Sequence, residues 1–587
     1  MLDRATLRAA ISRSKLENHL GWLSAVRRDT GGPGEDRTVE YITRELESYG
    51  VPFQVHEFDS YLSYPSRATL EVLQPERLFL PVLTHSFGCS TPRDGLVADL
   101  KYLPEGDVGR GAGQAVLLDG VLSPAKVLEA TRAGVAVVIF ANPDRYIHNM
   151  IATTVWGTPS LSQVDRIPRV PVVSTNCEGG ETLKHLLEKG PVKVRVVAEV
   201  NTGWFRSRLP EAVIPGTHLP DEFVLAGGHY CAWEVGVTDN ATGVACLLEM
   251  ARVLNQFRGE LRRSVRIAWW PGHSHGRYAG SAWYADTFWE GMAQNCLAYY
   301  NVDSPGVRGA TRYVARHTTA EMERFGLDVI RRVTGQRDIS VQRPSRAADQ
   351  SFLAIGVPSL SCYPFLPEGH PDWRPWTGGS GGGWWWHTEH DTLDKADVDR
   401  LIVDVELGCT VVGELCCAAV LPMDFAAVAA EVMGILCRLA EQTAGSLDFS
   451  RLLRKASAFA SGAGALARVQ EKLSRREKAA GSQRDGGFSE LNRVLKGLSR
   501  VLLPVIYSVG GRFVHDPADL TPLVAAGGKN LMPGLARAVA LPGLAGTREY
   551  GFLRAEVVRE MNRVGDALDR AVALANEGLA AMAARPQ

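Results

Sequence analysis

Four short apolar runs constrain this chain more than any other feature: FVLAGG (223–228), SVRIAWW (264–270), LAYYNVD (297–303) and PSLSCY (358–363). Each is nearly continuous in its apolar character, the pattern of a strand buried on both faces, and GVACLLEMARVL between the first two is apolar at helical spacing. Buried strands alternating with helices predict an α/β fold with a mostly parallel, doubly wound sheet. Upstream, EDRTVEYITRELESY sets Val39, Ile42 and Leu46 on one helical face, Gly50 closes that helix, and the strand-like VPFQVHEF follows. From about 59 to 204 the texture changes to short β-like runs (ATLEVL, QAVLLDG, VAVVIFAN, VKVRVVAEV) divided by Gly, Pro and Asp turns, which predicts a separate β-rich insert. Beyond about 421 almost everything reads as helix, with one polar break around SRREKAAGSQRDGG. The expected division is therefore 1–58 with 205–420, an insert at 59–204, and a helical segment at 421–587.

Charge and cysteine usage narrow the partners. A formal net charge of −1, with no basic stripe interleaved with aromatics, argues against nucleic acid. The first residues, MLDRATLRAAISRSKLENHL, lack an apolar signal core, and no apolar run is long enough to span a bilayer, so the expectation is a soluble, cytoplasmic chain without a membrane partner. Ten cysteines show no CxxC spacing, and several, such as Cys246, Cys416 and Cys417, sit in apolar helical surroundings, as reduced buried thiols do.

In a doubly wound sheet, chemistry collects at the carboxyl ends of the strands. Following each apolar run in that direction yields His229 in GGHYCAW, Asp239 in GVTDNATG, His273 and His275 in WWPGHSHG, Asp303 after LAYYNV, and His387 in WWWHTEHDT. Taken singly, each has an ordinary reading: a His at a strand end is a hydrogen-bonded structural residue, and Asp239 before a helix is an N-cap. Together, two His and two Asp from separate strand ends suit a divalent transition metal, zinc foremost.

The ordered series GGHY…GVTDNATG…WWPGHSHGRYAGS…NVD…HTEHDT resembles the co-catalytic zinc aminopeptidases of peptidase family 28, and more closely the branch of glutamate carboxypeptidase II and the transferrin receptor. The resemblance spans nearly the whole chain and implies a protease-associated domain in the insert and a C-terminal helical dimerisation segment, hence a homodimer. It makes His229 and Asp303 ligands of a first metal, Asp239 the bridging carboxylate and His387 a ligand of a second, with one or two ions per subunit. Departures fall on the catalytic machinery. Cys231 stands where the family has a supporting Asp, His273 where it has the general-base Glu, and Ser274 where it has a Glu that binds the second metal.

A neutral imidazole at His273 can accept a proton near neutral pH or bind the metal, and either His273 or His275 could complete a second position that Ser274 serves poorly. Tyr363 either approaches the reacting carbonyl or is an ordinary core tyrosine, and Asp349 reads as a structural anchor. Arg343 and Arg346 are candidates for holding a substrate carboxylate. In DWRPWTGGSGGGWWWH, five tryptophans around a glycine run either line a pocket rim or pack a domain interface. Two functions follow: a metal-dependent hydrolase of an amide, peptide-like or related small substrate, with weak or absent ordinary aminopeptidase activity, or a non-catalytic binding or scaffold member. Retention of four ligands and the gain of two histidines favour chemistry.

Overall fold

The computed structural model describes residues 4–443, 445–480, 488–520 and 531–584. Of the polar break expected around SRREKAAGSQRDGG, the first half continues the helix Ser450–Ala480 and the second half lies outside the described residues.

The four apolar runs form neighbouring parallel strands in the order Ser359–Phe365, Cys296–Asn301, Leu219–His229 and Arg263–Trp270. Arg312–Arg316 closes one side antiparallel to Ser359–Phe365. Side chains alternate across this sheet, so consecutive residues of one apolar run enter opposite cores. Val224, Ala226, Val265, Ile267 and Trp269 pack with the helices Thr242–Gln256 and Val398–Cys417 on one face. Phe223, Leu225, Ala268 and Trp270 pack with Tyr284, Ala285 and Met292 on the other. Helix Pro33–Ser48 buries Val39, Ile42 and Leu46 completely against the first core, and Gly50 follows it at φ 63°.

Past Arg263–Trp270 the sheet continues through two 22-residue strands, Lys193–Ile214 and Phe53–Gln74, paired antiparallel along their length. Lys193–Ile214 then pairs with Leu96–Tyr102, which leads into Ala115–Asp119, Val137–Ala141 and Val172–Thr175, all parallel to one another. The boundaries expected at 58/59 and 204/205 thus fall inside continuous strands. The polar stretch EVNTG stays extended because each strand supplies the other's ladder partners, and Ser63 Oγ lies 2.7 Å from Thr202 Oγ1 across it. The inserted strands nevertheless bury two clusters of their own, one around Leu117, Ile139 and Val194 and one around Val116, Val138 and Phe140.

The C-terminal helices Phe425–Gln442, Ser450–Ala480, Phe488–Tyr507 and Arg548–Ala583 extend the first core, with Leu436, Leu452, Leu498 and Leu568 in the same apolar cluster as Leu415. No described helix is long and apolar enough to cross a membrane. No disulfide forms among the described residues, where Cys246 and Cys416 are buried and Cys417 is half-buried.

Candidate metal centre

His229 ends its strand beside the end of Cys296–Asn301, and Gly228 is what lets these ends meet. A Cβ there would stand 2.2 Å from the Val302 carbonyl oxygen, so any side chain would push the two strands apart. With them in contact, His229 Nε2 lies 3.7 Å from Asp303 Oδ1. Asp239 enters from the turn Val237–Ala241 ahead of helix Thr242–Gln256, which has no side-chain N-cap. Its Oδ1 is 3.0 Å from His229 Nε2 and its Oδ2 is 3.2 Å from His387 Nε2. One carboxylate therefore faces an imidazole nitrogen with each oxygen.

The surroundings hold these groups in place. His229 Nδ1–H donates to the Cys231 carbonyl at 2.7 Å, which leaves the buried Nε2 turned toward the two carboxylates. Asn240 Nδ2 donates to the carbonyls of His229 (3.2 Å) and Val302 (3.1 Å), and its Oδ1 accepts from Ser304 N–H at 3.0 Å. Asp391 accepts from Thr238 N–H (2.9 Å), Thr238 Oγ1–H (2.7 Å) and Asp239 N–H (3.0 Å), clamping the turn that presents Asp239. The buried Arg28 guanidinium donates to the carbonyls of Tyr230 (2.9 Å) and Gly236 (2.8 Å), tying the strand end to the same turn. His387 is held at φ 59° by the insert, where Asn149 N–H donates to its carbonyl at 2.9 Å. Arg277, Tyr278, Ser304, Ala348 and Ser380 share that left-handed backbone, an accumulation of strain characteristic of functional sites.

Electrostatics fit a cation. Burial works against charge on His229, but Asp239 and Asp303 outweigh it and hold its pKa well above the ordinary value. Burial likewise opposes ionisation of Asp239, and His229 and His387 reverse that to pull it well below the carboxylate range. Two carboxylates thus stay anionic in a buried place with a proton as their compensating charge. A divalent ion answers the same need, and the donor set His229, Asp239, Asp303 and His387 has the oxygen and imidazole character that zinc takes.

His273 comes to the same place. Its ring stacks on His229 with centroids 3.7 Å apart and planes at 15°, and its Nδ1 lies 2.8 Å from Asp349 Oδ2. Ser274 lines the cleft with Trp233, Asp239 and His387. Tyr363 carries a buried hydroxyl without a hydrogen-bond partner, and burial, reinforced by Asp303, raises its pKa. His275 is not brought to this cluster: its Nε2 faces Asp29 Oδ1 at 3.6 Å, its ring stacks on Tyr64, and burial lowers its pKa to about 4. Two residues along one helical turn point away from each other, so only one of the two imidazoles can face the strand ends. Arg343 and Arg346 are also engaged elsewhere, Arg343 with Glu431 (2.6 Å) and Glu323 (2.7 Å), Arg346 with Asp516 (2.7 Å).

The tryptophan run packs rather than opens. Trp386 stacks on His387 at 3.7 Å, Trp385 Nε1–H donates to Thr238 Oγ1 at 3.1 Å, and Trp384 stacks on Tyr146 of the insert at 4.3 Å. The glycine run folds over the cluster, where a Cβ at Gly379 would lie 3.1 Å from Asp239 Oδ2 and 2.6 Å from Trp386 Nε1. The remaining cavity is ≈ 10 Å³, room for about one water. Asp391, Arg28 and Asn240 were not singled out by motif or spacing. Asn240, next to Asp239 in GVTDNATG, and Asp391, the last acid of HTEHDT, lay inside quoted motifs, whereas Arg28 had no signal.

Residues 212–405 match the model of peptidase family M28. This segment belongs to that family. All seven metal and catalytic candidates lie in the M28 segment, from His229 to His387. The chain is 23% identical over 421 residues to "Probable glutamate carboxypeptidase VP8" of Zea mays, covering 57% of this chain and 58% of that one. It spans a little over half the length of the curated relatives it matches. Among solved structures, the aminopeptidase from Aneurinibacillus sp. strain AM-1 superposes with a TM-score of 0.55 at 21% identity, over 70% of this chain and 96% of that one. BSAP, a zinc aminopeptidase from Bacillus subtilis, gives 0.54 at 20%, over 69% and 95%. These likenesses establish the M28 fold: a mixed α/β molecule with a central, mostly parallel sheet.

Proposed function

We propose that this chain is a metal-dependent hydrolase of an amide or peptide-like bond, with His273 in the proton-handling position. The observation that carries the reading is the single carboxylate of Asp239 between two imidazole nitrogens, at 3.0 and 3.2 Å, with Asp303 3.7 Å from the same His229 Nε2. His229, Asp239 and Asp303 would hold one ion; Asp239 and His387, with Ser274 in the neighbouring place, would hold a second more weakly. When bound, zinc or a similar ion supplies a Lewis acid for the carbonyl and a lowered pKa for water. His273 accepts a proton from the attacking water and returns it to the departing nitrogen, so water's oxygen replaces the amine on the carbonyl carbon. Tyr363 O–H, whose hydroxyl is buried without a hydrogen-bond partner, would donate to the developing oxyanion.

The same reading treats 59–204 as a protease-associated insert and 421–587 as the segment that forms a cytoplasmic homodimer. It is tested by the metal content of purified protein per subunit together with turnover of a panel of aminoacyl and N-acyl amides. A second reading, a non-catalytic member that retains the site, draws support from the one-water cavity under the glycine run. Metal retained with no turnover of any amide would select it.

A further inference from the structure

Resting on the hydrolase reading, we infer that Asp349 is the positioning residue for His273: it fixes the imidazole as the Nδ1–H tautomer and leaves Nε2 as the proton acceptor. Asp349 is 1% exposed and divides its two oxygens between two tasks. Oδ2 faces His273 Nδ1 at 2.8 Å, and Oδ1 accepts from Ser281 Oγ–H at 2.8 Å. A carboxylate only accepts, so His273 Nδ1 must carry the proton of that bond.

The hydrogen bonds beyond Asp349 run one way. Trp156 Nε1, which can only donate, gives its proton to Ser351 Oγ at 2.9 Å, and Ser351 Oγ lies 2.9 Å from Ser281 Oγ. Ser281 has one proton and directs it to Asp349, so the Ser351–Ser281 bond must be donated by Ser351. The result is an unbroken donor chain, Trp156 to Ser351 to Ser281 to Asp349, all of it buried. It begins on Trp156, in the insert, and ends at the imidazole over the metal ligands.

Packing removes the alternative orientation. His229 covers one face of the His273 ring at 3.7 Å, Tyr278 meets it edge-on at 4.8 Å, and Trp156 packs on Tyr278 at 4.2 Å. A flipped ring would present Cδ2–H to Asp349 and leave a buried carboxylate oxygen without its donor. A His–carboxylate pair supported by a hydroxyl relay thus occupies the place of the family's single Glu, with the basic atom on an imidazole instead of a carboxylate.

The test is ¹⁵N imidazole NMR of histidine-labelled, full-length protein, with His273 assigned by the loss of its signals in His273→Gln. It is recorded at pH 8 without metal and after zinc addition. The expected result is a protonated Nδ1 and an unprotonated Nε2 in the wild type, with that pattern lost in Asp349→Asn. Asp349→Asn should also lower kcat by about 10- to 100-fold with KM and metal content unchanged, the range for a partner that orients a working imidazole. Ser281→Ala, a milder change that guards against misfolding, should shift the Nδ1 resonance and lower kcat a few fold. A wild-type Nε2–H tautomer, or both variants leaving tautomer and kcat unchanged, overturns the assignment. The NMR arm needs no turnover, so a wild type that cleaves no amide defeats the hydrolase reading while the tautomer still decides the role of Asp349.

Discussion

Asp239 and His273 carry the two sharpest residue-level expectations. Asp239 is the one side chain shared by both imidazoles, so Asp239→Ala removes a ligand atom from each position and leaves only His229 with Asp303 on one side and His387 on the other, too few donors to hold zinc well. The expected outcome is loss of nearly all transition metal by mass spectrometry with the fold retained by circular dichroism; full metal content in that variant would disprove the shared role. For His273, Ala should abolish amide turnover and leave metal content near that of the wild type, because its Nδ1 is bound to Asp349 and not to the cluster. His273→Glu restores a carboxylate but places it against Asp349, where two buried acids repel, so it should not recover ordinary aminopeptidase rates. Wild-type cleavage of simple aminoacyl amides at rates normal for the family would contradict this account of the substituted site. At Cys231 the main-chain carbonyl accepts from His229 Nδ1–H, so the imidazole is oriented without a carboxylate side chain.

Strand ends and loops decide whether those residues meet. The close approach of the Leu219–His229 and Cys296–Asn301 strands depends on Gly228, and Gly228→Ala would force its Cβ into the Val302 carbonyl. Backbone cannot yield as a flexible side chain does, so destabilisation of about 3 kcal/mol is expected, with weaker metal binding as His229 and Asp303 separate. Urea unfolding with metal titration checks both; a variant equal to wild type in both would refute the dependence. The glycine run acts at the same level. Gly379 sits so close to Asp239 and Trp386 that Gly379→Ala should disturb metal binding, whereas a substitution at Gly369, with no neighbour within 4 Å but φ 84°, should affect only the local turn. The long paired strands Phe53–Gln74 and Lys193–Ile214 transmit the insert's position to the sheet, and Asn149 and Trp156 carry it on to His387 and toward His273.

At the scale of the whole molecule, buried titratable groups set the pH range of stability. His85 accepts from Met150 N–H at 3.3 Å, lies 2.7 Å from Ser174 Oγ, and is held by burial at a pKa of about 3, while burial, with Lys15 and Arg252, holds His19 at about 4. Both are neutral when folded and protonate near 6.5 when unfolded. Their contribution is therefore complete above pH 6.5 and is lost as pH falls toward 4 and 3, each histidine giving up about 1.4 kcal/mol for every pH unit in that window. Glu321 works in the opposite sense: burial raises it to about 7, so its contribution is complete below about 4.5 and is lost as pH rises through 7. His85→Asn should flatten the fall of denaturant stability below pH 6.5; an unchanged limb in that variant would remove His85 as its cause. The C-terminal helices predict association as well. They bury Leu436, Leu452 and Leu498 within the subunit, and because their sequence resembles a dimerisation segment a homodimer is expected by light scattering at micromolar concentration. A monomer there would count against it.

The sheet strands and the helix Thr242–Gln256 were legible from the chain alone, because each depends on local pattern, apolar period and turn residues, whereas His229, Asp239, Asp303 and His387 were brought together by the resemblance of their motifs as much as by position. Three other features were not. The choice between His273 and His275 turned on which side of one helical turn faces the strand ends, and spacing does not encode that. The continuity of Phe53–Gln74 and Lys193–Ile214 through polar segments required each to find the other across more than a hundred residues of chain. The pairing of His273 with Asp349 joins residues 76 positions apart, and its support from Ser281, Ser351 and Trp156 exists only once helix, loop and insert pack together. Sequence pattern determined which groups stand at the ends of the strands. Tertiary packing decided which way each one points, since hydrogen-bond direction and ring orientation depend on neighbours distant in the chain.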